Sequence, residues 1–228
     1  MVMPYYVSPD QMMADKAEYA KKGIGKGRSI IAVEYADGIL LVADNPSASL
    51  HKISEIYDNI AFAGAGKYSE FENLRKAGIR HADLKGYVYS REDVRAMALA
   101  NAYSETLGTI FGQEIKPLEI EILVVGVRED SRANEIYRIS FDGSIIDEKG
   151  YAVIGGKSDA IRAKLKEKFH DPVSLDEALR ICADAFEDAG NPPPTPSGLE
   201  AAVMDRTRTG RKFRRIETSE VERVLGKK

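Results

Sequence analysis

Ser29-Ile30-Ile31-Ala32-Val33-Glu34-Tyr35, then Asp37-Gly38, then Ile39-Leu40-Leu41-Val42-Ala43-Asp44 read as two apolar strands around a tight-turn dipeptide, hence a β-hairpin. Immediately upstream, Ser8-Pro9-Asp10-Gln11 opens a helix. Ser8 can accept a backbone N–H, Pro9 suits the first turn, and Gln11 completes a capping-box pattern. That helix should cover about 9–22 and end at Gly23, Gly25 and Gly27. Downstream, a second strand pair is predicted over 52–57 and 59–63.

The apolar period then changes. Phe71, Leu74 and Gly78 within 67–85, and Val94, Met97, Ala98 and Ala102 within 92–112, recur at spacings of three and four, so two helices follow. Ser90 with Asp93 resembles a capping box for the second. Strands return over 120–127, 135–141, 144–148 and 151–154. A helix pair over 159–169 and 175–188 comes next, the latter headed by Ser174-Leu175-Asp176-Glu177. Pro192-Pro193-Pro194-Thr195-Pro196 is a stiff connector to a last strand over 199–205. Strands, two helices, strands, two helices and a strand describe segregated layers, an α+β chain rather than alternating βαβ units. Two such halves stack most simply as a four-layer αββα sandwich, here with an extra N-terminal helix. One domain, 9–205, is predicted. From Arg206 onward Arg and Lys dominate, and 206–228 reads as a mobile basic tail, although Val221, Val224 and Leu225 could form a brief helix.

Composition narrows the function. A length of 228 residues supports one large core, and a formal net charge of -3 with 30% charged residues gives no basic field for nucleic acid. Cys182 is the single cysteine, and His51, His81 and His170 are the three histidines; they lack ligand spacing, so neither a disulfide framework nor a metal site is expected. No stretch approaches the roughly 20 apolar residues of a membrane helix, and no signal-type run opens the chain. The reducing cytoplasm fits best.

At this point the chain resembles a proteasome alpha-type subunit of the bacterial, actinobacterial-type branch, from about Tyr5 to Asp188. The carriers are Ser8-Pro9-Asp10, Glu18-Tyr19-Ala20, the Gly27 turn, Asp37-Gly38-Ile39-Leu40-Leu41, Lys52-Ile53, Gly64-Ala65-Gly66, and Ile154-Gly155-Gly156-Lys157 before a helix. Each is weak alone; their order and spacing are specific together. The resemblance implies the N-terminal-nucleophile hydrolase fold and a homo-heptameric outer ring. It further implies stacking on beta-type rings that degrade unfolded proteins, and a hexameric ATPase or other activator docking through its C-terminus. No cofactor is implied.

Active relatives in that fold attack with an N-terminal threonine freed by cleavage after glycine, its amine serving as base. Here the junction reads Gly27-Arg28-Ser29. Ser29 behind an intact amide has no free amine, so no catalytic residue is assigned. The rival reading is a self-processing hydrolase with Ser29 exposed, for which the first helix would be a propeptide. By resemblance Lys52 instead lies in a pocket between neighbouring subunits and binds the activator's terminal carboxylate. The bland reading is a solvated lysine at a strand start. Pro9, Gly27, Gly66 and Lys67 complete that implied pocket, and Met12, Met13 and Tyr19 are expected at the ring contact. Met1, Val2, Met3, Pro4, Tyr5, Tyr6, Val7 and Ser8 would form the gate over the pore, or else a frayed terminus. Tyr5-Tyr6-Val7 lacks the charges of the Tyr-Asp-Arg triplet found in archaeal and eukaryotic relatives.

One motif competes. Gly150-Tyr151-Ala152-Val153-Ile154-Gly155-Gly156-Lys157-Ser158 nearly matches a nucleotide-binding P-loop but carries one residue too many, and its middle reads as strand. A tight strand-to-helix turn is the better reading there. Cys182 shares a helical stripe with Leu175, Leu179 and Phe186, which makes it a core residue.

Overall fold

A computed structural model describes residues 8–128, 133–189 and 194–226. In chain order the helices are α1 (Pro9–Gly25), α2 (Tyr68–Val88), α3 (Ala96–Gln113), α4 (Ser158–Lys168), α5 (Leu175–Asp188) and α6 (Thr218–Leu225). The strands are β1 (Ile30–Tyr35), β2 (Gly38–Asp44), β3 (Ile53–Tyr57), β4 (Ile60–Gly66), β5 (Ile120–Gly126), β6 (Glu135–Ile139), β7 (Ile145–Glu148), β8 (Tyr151–Ile154), β9 (Leu199–Asp205) and β10 (Phe213–Ile216). They form two antiparallel sheets, ordered β10-β9-β2-β1-β8 and β3-β4-β5-β6-β7.

Period-2 alternation sorts each strand between two cores. Ile30, Ala32, Ile39 and Leu41 of the first sheet meet Ala61, Ala63, Leu123 and Val125 of the second in a layer rich in alanine. Ile31, Val33, Leu40 and Val42 point the other way, onto Ile161, Leu165, Leu179 and Phe186 of α4 and α5. Phe62, Ile122 and Val124 likewise meet Phe71, Leu74, Leu99 and Tyr103 of α2 and α3. Sheets covered on both faces account for unbroken apolar runs such as that of β2. The result is the four-layer αββα sandwich, with α1 at one end, where Ala20 and Ile24 pack beside Phe141 and Phe111.

Several local expectations need correction. Ser8 caps α1, accepting the Gln11 N–H at 3.2 Å, but the Gln11 side chain donates to Asp15 at 2.7 Å instead of returning to the cap. Ser90 heads a 3-10 turn, Arg91–Asp93, and Val94 is extended, so α3 begins only at Ala96.

The largest correction concerns 206–228. Instead of a mobile tail, β10 pairs with β9 from Phe213↔Met204 to Ile216↔Ala201. α6 then buries Val221 and Val224 in the core with α5. Apolar residues at spacing three, Phe213 with Ile216 and Val221 with Val224, provide the anchors. The arginines around them are paired: Arg214 with Glu220 at 2.7 Å and Arg215 with Glu200 at 2.8 Å. Val224→Asp would bury an unpaired carboxylate, costing about 3 kcal/mol. A thermal melt should fall by roughly 6–12 °C; a melt like the wild type would mean that α6 is not part of the core.

Candidate functional site

Three turns meet at the α1 end of the sandwich: α1 into β1, β4 into α2, and β8 into α4. The Gly27 N–H donates to Ile24 O at 2.8 Å, and the Gly27 carbonyl accepts the Gly156 N–H at 2.9 Å. A Cβ on Gly27 would lie 3.0 Å from Gly66 N, and one on Gly156 would lie 2.7 Å from Gly25 O. These turns touch through bare backbone, which only glycine permits.

Lys52 enters this junction just ahead of β3. Its Nζ donates to the Arg28 carbonyl at 3.0 Å, and the Arg28 guanidinium pairs with Asp44, the last residue of β2, at 2.7 Å. Burial pushes the Lys52 ammonium down to about 8 from its ordinary 10.5; Asp44 and Glu200 pull it up, and Arg28 pushes it further down. Near neutral pH it therefore remains a cation, stripped of part of its water. Such a group favours an incoming carboxylate through a charge-assisted hydrogen bond.

Ser29, next to that carbonyl, is only 4% exposed, and its hydroxyl donates to the Gly156 carbonyl. Its own carbonyl accepts the Asp44 N–H at 3.1 Å. A lysine and an acid are thus assembled around Arg28, through its carbonyl and its guanidinium. This arrangement can hold an anion.

Of the sequence-derived site residues, Lys52, Gly27, Gly66 and Lys67 come together. Lys67 begins α2, donating its N–H to Glu119 O at 3.0 Å, and its ammonium pairs with Glu70 at 3.4 Å. Pro9 does not join them. It opens a 17-residue helix whose far end is Gly25, so about 24 Å of helix separates it from the junction. Met12 is 47% exposed and Met13 39%, both on the half of α1 that stands off the body. Tyr19 is 48% exposed, yet it already donates to Glu119 at 3.2 Å and lies under Lys116, 5.6 Å from the ring centroid. Residues 1–7 of the expected gate lie outside the described residues, while Ser8 is the cap of α1.

The other candidates dissolve into the fold. Tyr151–Ile154 is β8, occupying the span that a phosphate-cradling loop needs. Cys182 is fully buried and its thiol is pushed up by that burial. A cleft of about 520 Å³ lined by Tyr57, Asp58, Arg91, Arg95 and Lys212 lies at the opposite end of β4 from Lys52. Arg91 there is already paired with Asp58.

Sequence reasoning missed Glu200, which accepts the Lys52 N–H at 2.8 Å. The available signal was an acid inside the otherwise apolar run Leu199-Glu200-Ala201-Ala202-Val203-Met204.

Comparison with known proteins bears on this geometry. A family model described as "Proteasome subunit" matches residues 24–204. The chain is similar to "Proteasome subunit alpha" of Saccharomonospora viridis, at 50% identity covering 99% of this chain and 91% of that one. It is similar also to the proteins of the same name from Thermomonospora curvata, at 52% identity covering 99% and 98%, and Frankia casuarinae, at 51% identity covering 99% and 98%.

Proposed function

This chain belongs to the proteasome subunit family, beside its alpha-type members, and on that premise we propose that it is a non-catalytic alpha-type subunit of a cytoplasmic proteasome core particle. Copies close into a heptameric outer ring on beta-type rings, control passage of unfolded protein into the proteolytic chamber, and dock the C-termini of a hexameric ATPase or other activator. The observation that carries this reading is the Lys52 ammonium, half-buried with its Nζ on the Arg28 carbonyl at 3.0 Å. It can receive a terminal carboxylate, and the neighbouring Ser29 hydroxyl is buried and donates to the Gly156 carbonyl.

The helix α1 supports the ring. Residues 9–15 are exposed along its outer half, and Met12 and Met13 present apolar area that no element among the described residues covers. Because Pro9 and Lys52 are too far apart in one subunit, a pocket containing both draws Pro9 from a neighbouring subunit. Met12→Glu with Met13→Glu should therefore convert rings into smaller species by native mass spectrometry; intact rings would remove α1 from the contact.

The direct test of the whole reading is co-expression with the beta-type partner. A full-length chain in a very large complex with an N-terminally trimmed second subunit supports it; a chain trimmed to Ser29 supports the self-processing hydrolase instead. Within the assembled particle, deleting residues 1–8 should raise hydrolysis of a short fluorogenic peptide several-fold. A flat rate would mean that these residues do not close the pore.

A further inference from the structure

Glu200 is an acid in an apolar strand. On β9, Ala201 and Val203 face the helices while Ala202 and Met204 face the second sheet, so period 2 directs Glu200 toward the second sheet as well. There it meets β3, an edge strand whose outward N–H groups have no neighbouring strand among the described residues to accept them. Glu200 Oε2 accepts the Lys52 N–H at 2.8 Å and Asn45 Nδ2 at 2.8 Å. Its Oε1 accepts the Ile53 N–H at 3.2 Å and Arg215 Nη1 at 2.8 Å. Arg215 then donates through Nη2 to the Ile53 carbonyl at 2.7 Å. Together the two side chains take the place of the missing strand around Ile53, and the carboxylate side chain is 9% exposed. Asn45 also donates to Leu50 O at 2.7 Å, closing the loop before Lys52.

We propose that Glu200 is the positioning residue of the Lys52 site: with Arg215 it fixes the backbone of Lys52 and Ile53 so that the ammonium stands at the Arg28 carbonyl, ready for a ligand carboxylate. Glu200 does not touch that ligand. A preorganised cation binds more tightly because less freedom is lost on association. The inference rests on the docking role of Lys52. The charged and titratable groups around this ammonium are Asp44, Arg28 and Glu200 itself, and Arg215 and His51, whose Nδ1 lies 3.4 Å from Glu200 Oε1.

The test uses the particle assembled with its beta-type partner and a fluorescent short peptide ending in a free α-carboxylate, with its C-terminal amide as control, titrated by anisotropy between pH 6 and about 10. Glu200→Gln turns an NH₂ toward donors that need acceptors and removes a negative charge near Lys52. Carboxylate-peptide affinity should fall about tenfold, and the alkaline midpoint of binding should move to lower pH. Arg215→Lys keeps a cation beside Glu200 but loses the second contact to Ile53; affinity should fall roughly threefold with the midpoint unchanged. If Lys52→Ala binds the carboxylate peptide as well as wild type, the docking reading fails and this proposal with it. If Lys52→Ala loses binding while Glu200→Gln keeps both affinity and midpoint, docking stands and the positioning role is overturned. Should Glu200→Gln fail to assemble, wild-type affinity in Arg215→Lys overturns it.

Discussion

Lys52→Ala is expected to leave the ring assembled and to reduce activator-stimulated degradation by roughly 10- to 150-fold at subsaturating activator. The figure follows from losing one partly desolvated charge-assisted contact, about 1.5–3 kcal/mol. Stimulation at wild-type strength would refute the role of Lys52, whose Nζ is the donor to the Arg28 carbonyl. A free carboxylate should be required on the activator: its C-terminal amide should stimulate the wild type no better than the free tail stimulates Lys52→Ala.

On the docking role proposed for Lys52, binding depends on pH. A ligand carboxylate needs the ammonium, whose free-state value is about 8. Docking should hold below that pH and weaken above it, up to tenfold per pH unit until the bound-state value is passed. Stability runs the opposite way. The folded amine sits below its ordinary 10.5, so between these values the unfolded chain binds more protons and stability rises with pH. Below about 8 the ammonium's full desolvation cost is present. The interval corresponds to roughly 3 kcal/mol, less for a group still partly open to water. Lys52→Met should therefore raise stability by about 1 kcal/mol at pH 7 while abolishing docking. A cation retained at such a cost is consistent with the docking role proposed for Lys52.

Much of this was legible in sequence, for identifiable reasons. The bounds of α5 and β9 were read directly, since a capping serine heads one and turn residues flank the other. The layer order followed from where the apolar period switches. The start of α3 was misread because Ser90 caps a 3-10 turn with the same chemistry it would use on a helix, accepting the Glu92 N–H. The tail was misread because the density of arginine and lysine masked two pairs of anchors, and because pairing those cations requires Glu200 and Glu220 in place. At the site, Lys52, Gly27 and Gly66 are reached only through the resemblance to alpha-type subunits that the order of motifs supports. Glu200 could not: it meets Lys52 across 148 residues, through a contact that exists only once the sheets are stacked.

Gly66→Ala should produce the second large effect, and it separates two roles for that glycine. Gly66 adopts φ +102°, which an L-residue tolerates at about 1–3 kcal/mol. Its Cβ would also fall on the Glu119 carbonyl. That carbonyl cannot easily retreat: it accepts the Lys67 N–H at 3.0 Å, the Glu119 N–H is held by Glu70 at 2.7 Å, and the register Gly66↔Ile120 closes the β4–β5 ladder. A loss of about 4 kcal/mol is expected, lowering the melt by roughly 8–16 °C. Gly112→Ala serves as the control, since a Cβ there meets nothing within 4 Å in α3 and should stabilise by about 0.5 kcal/mol. If Gly66→Ala melts as the wild type does, the strain argument is wrong. If it also then fails to bind a carboxylate peptide, Gly66 is present for the ligand's close approach to the backbone and not for the turn. Loss of stability with docking retained in the surviving rings assigns it to the turn alone, leaving Lys52 and its clamp as the chemistry of the site.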